Sequence, residues 1–428
     1  MKICELLENI ENGGMHIHSA LYADTAAAGA RISAALNKFA ALFGTERDVY
    51  VFSVPGRSEI CGNHTDHNRG CVLAGAIDRD VIAIVAKNDD GIIRFNSEGY
   101  EPDVISISDT EDAANFENYT SSALIGGVVN GFAIRGLAVG GFDCYSNTEV
   151  LKGSGISSSA AYEVMIGNIL NHLYNNARVS AVDLAKIAQY AENKYFGKPC
   201  GLMDQMACAV GGFVYIDFEA ADAPVVKPVA FSLRDIGYSL CIVNTGGNHA
   251  DLNDDYASVP REMKAVAATL GRDVLRGITE AELVAAIPTL RAEVGDRAIL
   301  RALHFVRENG RVKEAHDALA CGSLDGFLDA VNRSGRSSFQ YLQNVYTNVN
   351  VAEQGLSLAL ALTEGFLDAR GIRDKSALRV HGGGFAGTIQ VFLPTEYLSE
   401  YREYIDATFG DGAAMPLNVR PVGACRLF

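Results

Sequence analysis

Apolar positions along this chain follow two rhythms, and each predicts its own kind of element. Tyr162, Met165, Ile166, Ile169, Leu170 and Leu173 recur at helical spacing and mark one face of a helix. Leu184, Ile187, Ala188 and Ala191 form a second stripe, within a helix expected over 180–196. Ser180 with Asp183 three residues on is its start signal and Gly197 its stop. Residues 1–46 read as helical, with Ala-rich runs at 25–30 and 33–43, and residues 1–20 read as an added arm. Further helix is expected over 121–135 and in the stretches 261–270, 279–308, 313–333 and 352–370. Runs of β-branched and aromatic residues instead predict buried strands at 49–54, 72–76, 81–86, 91–96, 212–218, 238–244 and 389–393. Pro55-Gly56 is expected to end the first strand. Asp89-Asp90-Gly91 predicts a hairpin joining 81–86 to 91–96. Residues 101–120 are acidic and irregular. The charged, Pro-containing connection at 219–229 places the expected domain boundary, giving 1–223 and 224–428.

Chemistry is expected where these rhythms break. Just before the first stripe stand Gly153, Ser154, Gly155, Ile156, Ser157, Ser158 and Ser159. A glycine-rich turn lets backbone N–H groups converge, and a helix N-terminus adds free donors and the positive end of a dipole. Together they suit an anion, most often phosphate, although Gly and Ser also serve as ordinary turn and cap residues. Neither the Walker pattern nor the dinucleotide pattern GxGxxG fits, since no Lys follows the turn and Ser158 stands where a Gly is needed. Residues 56–70 form a second break, almost wholly polar, charged or glycine between apolar runs. Arg57, His64, Asp66 and His67 there suit a polyol; a solvated loop reads the same way. Glu192 borders the buried stripe of its helix, where a carboxylate needs a partner such as the other half of an edge ion pair. Asp204 lies in an otherwise apolar run ending at 207–210, which is hard to explain as surface decoration.

The stretch 151–161 resembles the phosphate loop of the GHMP kinases, PxGxGLSSSAA, with Leu151 for Pro and Ile156 for Leu. Residues 56–70 resemble the galactokinase-like signature GRxNxIGEHTDYNxG, keeping Gly56, Arg57, Ile60, Gly62, His64, Thr65, Asp66, Asn68 and Gly70. Glu59 stands where the family has Asn, and Asn63 where it has a sugar-facing Glu. Residues 197–205 resemble GxxCGxMDQ, and 379–388 resemble TGxGFGG with Ala386 for one Gly. Asn244, Thr245, His249 and Tyr256 follow part of NTxxxHxLxxxxYNxRR, beyond which the match fades. The His of a family Ser-His-x-Ser tract is missing near 334–337.

The resemblance implies an α+β fold of two domains with the active site in the cleft between them. The first would be like ribosomal protein S5 domain 2 and the second ferredoxin-like. It implies ATP-dependent phosphorylation of a hexose, galactose first, at C1. Asp204 would be the base and Arg57 its partner at the transferring phosphate. Asn63, His64, Asp66, Gly201 and Tyr256 would take the sugar, and the loop 153–159 the nucleotide. Ser97 follows a strand, where a Ser is commonly a turn residue; by its spacing from Asp66 it matches a nucleotide contact. Ser159 and Glu192 would bind Mg2+, a cation that prefers hard oxygen ligands. Because Asn63 removes a carboxylate, galacturonate, N-acetylgalactosamine or arabinose stay open as substrates. A sugar- and ATP-sensing regulator stays open as a different class.

Composition narrows the partners. A net charge of −16 over 428 residues argues against a broad nucleic-acid or membrane-surface footprint, and the expected partners are a small sugar and ATP. The nine Cys are scattered without CxxC or Cys/His spacing, which suits buried thiols in a reducing compartment. With no signal-like apolar region at the N-terminus, the expectation is a cytoplasmic protein, a monomer or weak homo-oligomer.

Overall fold

A computed structural model describes residues 1–22, 24–150, 155–198, 200–220, 223–247 and 252–428. Spatial contacts divide the chain into two units: 1–57, 76–212 and 420–428 in one, 58–75 and 213–419 in the other. The grouping is not a linear cut at 223/224, because the polar tract 58–75 goes with the second unit and the last nine residues with the first.

The first unit holds α1 (Ile3–Glu11), α2 (Thr25–Phe43), most of β1 (Tyr50–Cys61) and β2 (Cys71–Lys87), then β3 (Ile92–Ser97) and β4 (Asp103–Ser106). α3 (Ser121–Ala133), β5 (Phe142–Thr148), α4 (Ser158–Tyr174), α5 (Ala181–Ala191) and α6 (Met203–Val210) follow. The short C-terminal strand Cys425–Arg426 pairs with β1. α1 and α2 pack Leu6, Ile32, Leu36 and Phe39 with Ile82, Ile84 and Ala86 of β2. Strand alternation then sends Ala83 and Val85 to the other face, and they are fully buried too. Burial on both faces is why this strand reads as a continuous apolar run. Ile3, Leu6 and Met15 thus tie this N-terminal stretch into the unit's core.

Three strand expectations need correction. β2 is one strand, not two, running through Asp78-Arg79-Asp80. The fully buried Asp80 is satisfied there by Arg31 at 2.8 Å, Tyr22 at 2.6 Å, Ser53 and Arg420. The 81–86 to 91–96 hairpin does not form: β5 pairs antiparallel with β2 and parallel with β3, so it lies between them. The turn residues are present, but a third strand takes the hydrogen bonds. Nor does Pro55-Gly56 end β1, which continues to Cys61.

In the second unit β6 (Phe213–Asp217) pairs with Cys71–Gly75 of β2 and with β7 (Val225–Val229). β8 (Tyr238–Asn244) precedes α7 (Asn253–Thr269), α8 (Glu280–Ala285), α9 (Ile287–Glu293), α10 (Asp296–Ala320), α11 (Leu324–Ser337) and α12 (Gly355–Ala369). β9 (Ala377–His381), β10 (Thr388–Pro394), α13 (Leu398–Phe409) and β11 (Ala414–Leu417) complete it. The sheet order is β11-β8-β10-β9, all antiparallel. Phe366, Leu367, Tyr401 and Ile405 of α12 and α13 cover Val243, Val380, Ile389 and Val391 on one face. The other face carries Arg379, His381, Thr388 and Gln390, also buried.

Candidate active site

In the first unit the chemistry gathers where the N-terminus of α4 meets β1 and α6. Ser157 caps α4 with φ of 62°, a left-handed conformation uncommon for Ser. Its hydroxyl donates to Asp204 Oδ2. Arg57 donates from Nε to Asp204 Oδ1 at 2.7 Å and from Nη2 to Oδ2 at 2.6 Å, a two-pronged fork. Its third arm, Nη1, donates to Gly155 O at 2.6 Å. Gly56 is needed beside it, because a Cβ there would lie 2.6 Å from Ile156 O. Burial would raise the Asp204 pKa; the Arg57 charge and the bonds from Arg57 and Ser157 outweigh it and hold the carboxyl below its usual range. Asp204 is therefore ionised at neutral pH.

A second carboxylate stands nearby. The helix 180–196 is not uniform: α5 ends at Ala191 and a π-helical turn takes over at Glu192–Phe196, stopped by Gly197 at φ of 83°. Such turns insert a residue and re-aim side chains, often at functional sites. Glu192 is 2% exposed, and its Oε1 accepts from Ser159 Oγ and Lys198 Nζ, each at 3.3 Å. Its Oε2 accepts from Gln205 Nε2 at 2.8 Å, and the same nitrogen donates to Glu163 Oε2 at 3.2 Å. Burial, then the charge of Glu192, push the Glu163 pKa well up.

Ser97 ends β3, half-buried, with its hydroxyl 3.2 Å from Ser146 Oγ. Gly201 lies in the loop before α6. Ile156 is buried and Ser158 opens α4. Gly153 and Ser154, with Leu151 and Lys152, lie outside the described residues, as does His249 in the second unit.

In the second unit the polar tract is not a solvated loop. Ser58, Glu59, Asn63, Thr65 and Asn68 are all buried. Ser58 and Glu59 lie against the polar face of β9 and β10: Ser58 Oγ donates to Gln390 Oε1 at 3.3 Å, and Arg379 and Gln390 donate to Ile60 O at 2.9 and 2.7 Å. Glu59 pairs with Arg379 at 3.4 Å. Glu308 accepts from Gly62 N at 3.0 Å, Arg311 Nε at 2.6 Å and Ser334. Burial would raise its pKa, but Arg311, His304 and Arg379 bring it down to about 2. His304 donates from Nε2 to Asn63 O at 3.0 Å and accepts from Ser337 at Nδ1; burial holds it at about 4, neutral at pH 7.

His64 has φ of 58° and donates from Nε2 to Gly383 O at 2.8 Å; burial lowers it too, to about 4. Asp66 is half-buried and accepts from His67 N. Tyr256 on α7 donates to Gly384 O at 2.6 Å, and a Cβ on Gly384 would fall 2.0 Å from Asn344 O. His64, Asn63 and Tyr256 thus converge on one glycine turn, 382–384.

Sequence reasoning passed over Glu163, Gln205 and Lys198 in the first unit and Arg379, Glu308, His304 and Asn344 in the second. Two signals were available. Glu163 is a carboxylate inside the apolar run of α4, and Arg379 and His381 alternate with Leu378 and Val380.

Among the described residues no group of three or more His, Cys, Asp or Glu is placed to hold a metal, and no helix is long and apolar enough to cross a membrane. All nine cysteines are free, and five of them are buried.

Known proteins are similar to this chain in sequence and fold. Residues 37–87 match the galactokinase galactose-binding signature and 123–212 the GHMP kinases N terminal domain. A galactokinase of Streptomyces coelicolor is 30% identical over 375 residues, covering 87% of this chain and 91% of the relative. The crystal structure of Lactococcus lactis galactokinase complexed with galactose superposes with a TM-score of 0.76 at 24% identity, covering 92% of this chain and 99% of that one. Methanococcus jannaschii mevalonate kinase shares the fold more distantly, with a TM-score of 0.59 at 12% identity, over 88% and 99% of the two chains. With the signature, the N-terminal domain and a relative matched over most of its length, the chain belongs to the galactokinase family of the GHMP kinases.

Proposed function

We propose that this protein transfers the γ-phosphoryl group of ATP to the C1 hydroxyl of galactose, releasing galactose 1-phosphate and ADP. The observation that carries this reading is the Arg57 fork on Asp204, anchored on Gly155 O and Ser157 beside the phosphate loop. Asp204, ionised and oriented through both oxygens, accepts or shares the proton of the attacking hydroxyl. It is a weak base that acts through position. Arg57 offsets charge on the phosphoryl group as the bond to the leaving ADP breaks. Catalysis of this kind is mostly positioning and electrostatics.

Ser159 and Glu192 fit Mg2+. Both present hard oxygens, they already converge on one point, and a protein share of two ligands leaves room for the water and phosphate that Mg2+ keeps. Bound there, Mg2+ would neutralise charge on the nucleotide phosphates, while Gln205 keeps Glu192 aimed. The loop 153–159 and Ser97 take the nucleotide. His64, Asp66, Tyr256 and Gly201 are the sugar residues.

The acidic-sugar alternative is decided by the sugar panel: the tract carries a buried carboxylate at Glu59, but Arg379 and Asn63 take it up, so it is not turned to a ligand as a carboxylate at position 63 would be.

The test is ADP release with MgATP and a panel of galactose, galacturonate, N-acetylgalactosamine, arabinose and glucose. Galactose turned over well above the rest is expected. Preference for another sugar overturns the substrate, and binding of sugar and ATP without turnover overturns the enzyme in favour of a sensor.

A further inference from the structure

Asn63 is 1% exposed, and its side chain has nothing left to offer a ligand. An Asn amide has two donor hydrogens and an acceptor oxygen. Nδ2 donates to Glu59 Oε1 at 2.9 Å and to Gly382 O at 2.7 Å. Oδ1 accepts from Asn344 Nδ2 at 2.6 Å and lies 3.5 Å from Ser338 Oγ. Asn344 in turn donates to Gly383 O at 3.0 Å, and its own carbonyl accepts from Phe385 N at 2.5 Å. Phe385 carries a φ of 60°, a conformation that a bulky side chain holds only when its surroundings fix it. Glu59, which has no counterpart role in the sequence reading, is the carboxylate that orients the Asn63 amide, and Arg379 holds Glu59 in place.

We infer that Asn63 is a positioning residue and not a sugar ligand: Glu59, Asn63 and Asn344 form a buried clasp that fixes the 382–385 turn and, through Gly383, His64. The inference rests on the reading that this tract receives a sugar. In this arrangement the recognition of hydroxyls passes to the residues the clasp holds. His64 keeps Nε2 on Gly383 O, and its neutral ring offers Nδ1 as an acceptor. Position 63 sets where these groups stand.

A direct ligand and a positioning residue differ in how they couple to individual hydroxyls. The experiment compares wild type and Asn63→Ala on galactose and on its 2-, 3-, 4- and 6-deoxy analogues, reading KM for sugar, KM for ATP and kcat separately. A lost clasp should raise the sugar KM by roughly tenfold, because partner groups are left buried and unpaired. The factor should be the same on every analogue, with the ATP KM within about twofold. One analogue on which Asn63→Ala costs nothing would show that Asn63 binds that hydroxyl, and would overturn the inference.

A second pair of variants tests the clasp without any turnover. Asn63→Glu sets a carboxylate against Glu59 and Gly382 O and should lower the unfolding midpoint. Exchanging both residues, Glu59→Asn with Asn63→Glu, restores one carboxylate and one amide and should recover most of that loss. If the double exchange is no better than the sum of the two single variants, the clasp is wrong. Failure of the wild type on every sugar would instead remove the proposed function, with the stability cycle still deciding the clasp.

Discussion

The two polar regions of this molecule use charge in opposite ways. In the first unit, Arg57 and Asp204 are paired but within reach of solvent, with the Asp204 side chain 31% exposed. In the second unit, Glu308 and Arg379 side chains are fully buried, and those of Glu59 and Arg311 are 7% and 10% exposed. These charges are spent on each other, on Gly62 N and on Ile60 O. The first region keeps an ionised group ready for chemistry. The second uses ions as scaffolding and presents, beside the Asp66 carboxyl, neutral groups: a neutral His64, a phenol and the backbone of a glycine turn. A phosphoryl group and a polyol call for this division, since one carries charge and the other carries hydroxyls.

The comparison breaks most sharply at Asp204. Asp204→Ala should lower kcat by ~10²–10⁴-fold, the usual cost of a lost positioned base, with the sugar KM little changed. A loss under about tenfold would remove the base from the mechanism. The matching change in the second unit is Arg311→Met. It strands Glu308 as a buried charge and should cost ~3–5 kcal/mol of stability, seen in a urea midpoint. The combined Arg311→Met, Glu308→Leu variant should recover part of this, because removing both charges removes the desolvation cost too. If Arg311→Met altered kcat while leaving the urea midpoint in place, the scaffolding role would fail.

The regions should also separate on a pH axis. His304 is held near pKa 4 against an ordinary 6.5, so the unfolded chain takes up a proton that the folded one refuses. The folded state thus has its full margin above pH 6.5 and loses up to ~3 kcal/mol as pH falls to 4. His64 adds to the same window. Asp204, with its pKa lowered, behaves differently: its contribution is complete above the ordinary carboxylate range and is lost only as pH falls through the folded value. Unfolding midpoints measured from pH 7.5 to 4.5 should therefore decline already below 6.5, and His304→Gln should flatten that limb. An unchanged limb in His304→Gln would assign the decline elsewhere.

What could be read in the sequence follows the same contrast. The phosphate loop is contiguous, and Arg57 is the partner expected for Asp204 from the sequence, although the Ser157 hydroxyl on the same carboxylate is not. The second region is built across the chain: Asn63 meets Asn344 281 residues on, and Glu59 meets Arg379 320 residues on. Periodicity shows that Arg379 and His381 share a face but not what covers it, and a polar face ordinarily means solvent. For that reason the tract 56–70 looked like a loop, and Asn63 looked like a lost charge. The merging of two strands into β2 was hidden in the same way, because Asp80 reads as a break until Arg31 and Arg420 arrive from elsewhere.

The smallest effect tests a place where the first region resembles the second. Glu163 is fully buried, beside Glu192 and tied to it only through Gln205. Burial and the Glu192 charge raise its pKa, so the folded state holds a proton that the unfolded state has released. The sign follows directly: Glu163 destabilises the fold increasingly as pH rises above the ordinary carboxylate range. Glu163→Gln replaces the acid with a neutral amide of similar shape. It should leave the urea midpoint at pH 6 within about 0.5 kcal/mol of wild type and equal or exceed it at pH 8. A variant that is clearly less stable at pH 8 would mean that Glu163 is ionised in the fold. Glu163 would then belong with Asp204 as a charge held ready, and the contrast between the two regions would lie in exposure alone.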